Sequence, residues 1–164
     1  MTNEQPFPET FEQQQHIPEP YLTAIGQVVI NWCMLESVMD LAIAKLAAFD
    51  LHDPRGVVVT VHMTWPQKTD VLEALVDLLK TDHPRLPGKH AAAKPFLTKA
   101  HKGRNRVVHG QWGNHPQKGV VKIRSSARGK LKFDIEPISL DELAAISLDI
   151  GNAGLAVVKM IISQ

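Results

Sequence analysis

From Tyr21 to Phe49 apolar residues return at every third or fourth position, and this run limits the fold more than any other stretch of the chain. One row reads Ile25, Val29, Trp32, Met39, Ile43 and Leu46, and a second reads Val28, Leu35, Val38 and Leu41. The spacing predicts a single long helix. Two rows make an apolar arc wider than one packed face needs, which suits a helix central to a bundle or one also covered by a second protomer. Glu36 interrupts the first row between Trp32 and Met39, so its carboxylate requires a cationic partner or a way out to solvent.

The remaining elements follow from local signals. Residues 1–19, rich in Gln, Pro and Glu, are expected to be a mobile acidic arm, and Pro18 and Pro20 prepare the helix start. Val57, Val58, Val59 and Val61 form a β-branched run that reads equally as strand or short helix. Thr64 as N-cap and Pro66 in the first turn open a second clear helix, carried by Val71, Leu72, Leu75, Leu78 and Leu79 to near Lys80. Asp82 to Gly88 reads as a loop, and a third helix runs from Lys89 or Pro95 to His109. Beyond Gly110 the period changes to two. Val120–Arg124 and Lys130–Glu136 flank Ser125–Gly129 as a β-hairpin, and a capping box of Ser139 and Glu142 opens the last helix. Gly151 and Gly154 within it would permit close helix contact. The pattern is mainly α, with residues 20–164 as one domain and a hairpin between the third and last helices.

Composition removes several classes of function. Cys33 is the only cysteine, which excludes a disulfide framework and is expected to be a buried, inert thiol. There is no basic-then-apolar leader and no apolar run judged long enough to span a bilayer, so a cytoplasmic protein without membrane contact is expected. The eight histidines show no metal-binding spacing, and no phosphate loop or nucleophile elbow is present; no metal and no cofactor are expected. The net charge of +1 conceals an asymmetry: His83 to Phe133 holds 13 of the 18 Lys and Arg residues and no acidic residue at all. Such a segment either meets a polyanion or is neutralised by acidic helices in three dimensions.

Within that segment Lys102-Gly103-Arg104-Asn105-Arg106-Val107-Val108-His109-Gly110-Gln111-Trp112 asks for explanation. Gly110 stands where a left-handed glycine ends a helix. Gly103 weakens the helix by about 1 kcal/mol relative to Ala, implying that something approaches the backbone there. Arg104 falls in the apolar row Leu97, Ala100, Val107, where a long cation needs a partner. Five residues on a regular helix give about 140° of rotation, so Arg104 and His109 of one chain meet only if the last turn loosens or the arginine bends back. Across a two-fold axis two copies would meet readily.

Arg104-Asn105-x-x-x-His109 resembles the R-x4-6-H signature of HEPN domains, including the polar residue after the arginine. Gly26 and Trp32 to Glu36 in a long first helix, two further helices, Gly and Trp after the motif, a hairpin and a closing helix are similar to that family over about residues 20–164. The resemblance implies a four-helix up-down bundle that dimerises, with the Arg and His of both protomers facing one cleft. It further implies a metal-independent endoribonuclease, in some members a toxin or defence component restrained by an antitoxin, in others a silent binder of RNA or nucleotide. One subset carries a tyrosine two residues after the histidine as a modification target; Gln111 stands there in this chain.

The chemistry so implied is transesterification. His109 exchanges a proton with the 2′-OH or the leaving oxygen, Arg104 holds the non-bridging phosphate oxygens, and Asn105 orients phosphate or histidine. Glu36, Arg106 and Lys102 are supporting candidates, with Glu36 pairing Arg104 or fixing the His109 tautomer. Trp112, Lys122, Arg124, Lys130 and Lys132 are candidate RNA contacts, although aromatic burial is the commoner use of a tryptophan. A structural dimer held by a buried Arg104, Glu36 and His109 network is the remaining alternative.

Overall fold

The computed structural model describes residues 16–50, 53–126 and 132–162. The expected arm through residue 15, and the hairpin turn with Arg128, Gly129 and Lys130, lie outside these residues. The described elements are α1 (Glu19–Leu46), α2 (Pro54–Thr60), α3 (Trp65–Leu78), α4 (Leu86–Val108), β1 (Gln111–His115), β2 (Gly119–Ser126), β3 (Lys132–Pro137) and α5 (Leu140–Ile162).

The ambiguous valine run is helical. Asp53 caps it by accepting the Arg55 N–H at 2.9 Å, and Pro54 supplies a preset first residue. This local start overrides the β preference of Val57, Val58 and Val59, which are exposed. At α3, Gln67 Oε1 accepts the Thr64 backbone N–H at 2.7 Å, and at α5 Glu142 Oε2 accepts that of Ser139 at 2.8 Å. α4 starts at Leu86, ahead of the expected boundary, and continues through Pro95.

Val28, Trp32, Leu35, Met39 and Ile43 of α1 are buried with Leu72 of α3, Leu97, Ala100 and Val107 of α4, and Leu143, Ile150 and Val157 of α5. Asn31 Nδ2 donates to Ser147 Oγ at 2.7 Å and Lys45 Nζ to the Ile161 carbonyl at 2.7 Å, so α1 and α5 run parallel. α4 lies antiparallel to α5, with Lys99 on Asp149 at 2.9 Å and Arg106 on Glu142 at 3.1 Å. A strict up-down order of four helices would set the first and last antiparallel, so that alternation does not hold here.

The expected hairpin is two strands of a three-stranded antiparallel sheet in the order β1-β2-β3. Register sets Trp112 opposite Lys122, Ile123 opposite Ile135, and Ser126 opposite Lys132. β1 has no apolar alternation to announce it. Trp112 Nε1 instead anchors it by donating to the Val107 carbonyl at 3.0 Å, on the end of α4.

Two other expectations are corrected. Cys33 is exposed on α1, because it falls outside the buried arc. α1 and α5 are long and apolar enough, by length and composition, to cross a membrane, and only part of each is buried in this fold.

Candidate functional site

α4 ends at Val108, and His109 takes an extended backbone with φ −96° and ψ 114°. That break brings the imidazole back over the last turn, so Arg104 and His109 of one chain meet: Arg104 Nη1 lies 3.0 Å from His109 Nε2. Gly110 follows with φ +129°, and a Cβ there would fall 2.7 Å from Lys122 Cε and 2.9 Å from the Ile123 carbonyl oxygen. The glycine thus makes a tight passage from helix to sheet in place of the expected helix-ending turn.

Arg104 finds its partners among neutral groups. Its Cζ lies 5.4 Å from the centre of the Trp32 ring, and Nη1 also donates to Asn105 Oδ1 at 3.1 Å. Asn105 Nδ2 stands 2.9 Å from His101 Nε2. A guanidinium can only donate, which fixes the rest of the chain of contacts. His109 Nε2 faces the guanidinium as acceptor, and Asn105 presents its oxygen to Arg104 and its amide to His101 Nε2. Burial first, then the nearby Arg104 and His109, hold the His101 pKa below the usual histidine value. The His101 ring stacks against Trp32 and Trp65, with centroids 5.9 and 6.0 Å away. Arg104 Nε is buried without an acceptor among the described residues.

The supporting candidates do not join this cluster. Glu36 is half-buried and makes no hydrogen bond or ion pair among the described residues, so neither the Arg104 pair nor the His109 contact forms. Arg106 is taken by two carboxylates: Nε donates to Glu136 at 2.8 Å and Nη2 to Glu142 at 3.1 Å. Lys102 is exposed and sits about 160° round the helix from Arg104. What approaches Gly103 within the chain is Ile146 of α5, whose Cγ2 would lie 3.0 Å from an added Cβ.

Among the candidate RNA contacts, Trp112 packs against the core with its N–H used, and Lys122 is buried with Nζ 3.5 Å from the Asn105 carbonyl. Burial pushes the Lys122 pKa down, and its place is beneath the α4 end rather than on a surface. Arg124 and Lys132 are exposed on one face of the sheet. The basic segment is partly neutralised, since Lys94 pairs with Glu73 at 2.8 Å and Lys99 with Asp149. Among the described residues no three His, Cys, Asp or Glu side chains gather as a metal site.

Sequence reasoning passed over His101 and Trp65. The spacing His101, Asn105, His109 was a usable signal, because residues four apart share a helix face. Trp65 arrives from α3 and had no local signal.

No protein-family model, characterised protein or solved structure matches the chain, so the HEPN likeness stands on its motif and the placement of that motif.

Proposed function

We propose that this protein is a HEPN-like, metal-independent endoribonuclease of mainly helical fold, acting as a homodimer, with a restraining antitoxin in a toxin or defence setting. The observation that carries the reading is the 3.0 Å contact of Arg104 with His109 in a cluster without a carboxylate among the described residues. The Arg104 charge is left for a phosphate, which would draw the guanidinium from His109 and free the Nε2 lone pair. His109 then takes the 2′-OH proton, the 2′-oxygen attacks phosphorus as the bond to the 5′-oxygen breaks, and the leaving oxygen takes a proton from water, whose hydroxide recovers the proton held by His109. Arg104 stabilises the charge building on the non-bridging oxygens, and Asn105 keeps the guanidinium aimed.

A second face supports the dimer. Ile30, Met34 and Leu41 of α1 and Leu148, Leu155 and Ile162 of α5 are between 37% and 70% exposed. Met34 and Leu155 line an apolar groove of 240 Å³ along Gly151 and Gly154, neither of which has any atom near an added Cβ. This amounts to roughly 600 Å² of apolar surface, against about 800 Å² per partner in a standard interface. Ile30, Met34 and Leu41 lie about 160–180° round α1 from Trp32, so copies joined here keep separate Arg104–His109 sites.

RNA incubated with the protein in EDTA should yield 2′,3′-cyclic phosphate ends, and His109→Ala should abolish them. Salt-sensitive RNA binding without cleavage would overturn the enzyme and leave a silent RNA- or nucleotide-binding dimer, a reading favoured by the engaged Nε2 of His109. Met34→Glu should give a monomer by sedimentation that still cleaves. Loss of cleavage on monomerisation would show a shared cleft instead.

A further inference from the structure

A groove of 360 Å³ runs between α3 and α4 and ends at His101, one hydrogen-bonded residue away from Arg104. Its apolar wall is Trp65, Leu72 and Leu97, together with His90, which is only 8% exposed. Burial holds the His90 pKa below the usual value, so at neutral pH it offers a flat, uncharged ring. Its polar lining includes Asp70 and Glu73, and these two differ. Glu73 is neutralised by Lys94 at 2.8 Å, whereas Asp70 makes no hydrogen bond or ion pair among the described residues.

We propose that this groove seats a guanine base of the nucleotide adjoining the phosphate held by Arg104 and His109. The proposal rests on the RNA reading above. The free carboxylate of Asp70 repels a phosphate, so the groove takes base rather than backbone, while Arg104, beyond His101 and Asn105, takes the charge. An unpaired carboxylate accepts and does not donate. Guanine alone among the four bases presents two adjacent donors, N1–H and the N2 amino group, on its Watson–Crick edge, and a carboxylate receives both at once. Adenine, cytosine and uracil each offer it a single donor position. Trp65 and His90 are buried, with the Trp65 ring already packed against Trp32 and His101, so they form an apolar floor beneath the base while its edge is read by Asp70.

The test has a binding arm and a cleavage arm, both on the full chain. Calorimetric titration with the 3′-monophosphates of guanosine, adenosine, cytidine and uridine should show guanosine bound about tenfold tighter than the others. Asp70→Asn should remove that advantage while the melting temperature stays the same, since Asp70 is exposed and carries no contact to lose. Four equal affinities, or a guanine preference that survives Asp70→Asn, overturn the pocket. In the cleavage arm, a mixed-sequence RNA should be cut with guanine enriched at one position beside the break. Cuts spread evenly over the four bases sink the pocket and leave the nuclease standing. Guanine-selective binding with no cleavage of any RNA sinks the nuclease and leaves the pocket, and failure of both arms ends both proposals.

Discussion

Arg104 and Arg106 stand two residues apart on the last turns of α4, yet they live in different electrostatic worlds. Arg106 is held by Glu136 and Glu142, tying the helix end to β3 and α5. Arg104 meets a tryptophan face, an amide oxygen and an imidazole, none of which cancels its charge. The contrast teaches that residue type does not assign the role. A cation satisfied by carboxylates is a structural clasp, and one satisfied by neutral acceptors keeps its charge for a ligand.

The sharpest way to break this contrast is to remove each arginine in turn. Arg104→Ala should lower RNA cleavage about a thousandfold with little change in melting temperature. Arg106→Ala should leave the cleavage rate within a few-fold and cost about 1 kcal/mol in denaturant unfolding, a modest figure because its carboxylate partners are partly exposed. If both variants lose cleavage alike, the two arginines are not distinct. A smaller effect is expected from freeing Arg106: Glu136→Gln with Glu142→Gln should steepen the dependence of RNA affinity on salt by about one phosphate contact.

The two clusters should also part with pH. The carboxyl of Glu142 is held below its ordinary value by the Ser139 backbone N–H first and then by Arg106. Its contribution to stability is present above the unfolded carboxyl value and is lost as pH falls through the lower folded one. His101 and His90 have depressed values too, so the unfolded chain takes their protons first, and stability falls as pH drops below about 6.5. Acid titration should therefore show two steps of lost stability, with the upper one shrinking in His101→Gln. Histidine ring resonances should place His101 and His90 below the usual midpoint, and values at or above it would refute the assignment.

What was legible in the sequence was local. The Thr64 cap and the Ser139–Glu142 box specify helix starts from neighbouring residues, and both form. Helix geometry left a loosened last turn, a bent-back arginine or a second copy as ways for Arg104 to meet a His109, and within one chain the turn loosens. What stayed hidden depends on contacts distant along the chain. Whether Glu36 would find a cation, whether Ile146 or a second copy would press on Gly103, and whether α5 would run with α1 are settled by packing. Lys122 shows the limit most clearly: alternation put it on a face with Arg124, and only the position of α4 shows that one is buried and the other exposed. β1 was missed because it is held by the Trp112 bond to Val107 and by pairing with β2, and neither leaves a periodic trace.

The crowding at Gly110 carries a consequence for how such a protein would decay. A single methyl at that position would have to displace Lys122 or the Ile123 carbonyl, while the backbone there already disfavours any side chain. The displaced strand would drag the neighbouring imidazole out of reach of its guanidinium. Gly110→Ala should therefore silence the protein as thoroughly as deleting His109, and the weakest link of a reactive centre would be a residue with no functional group.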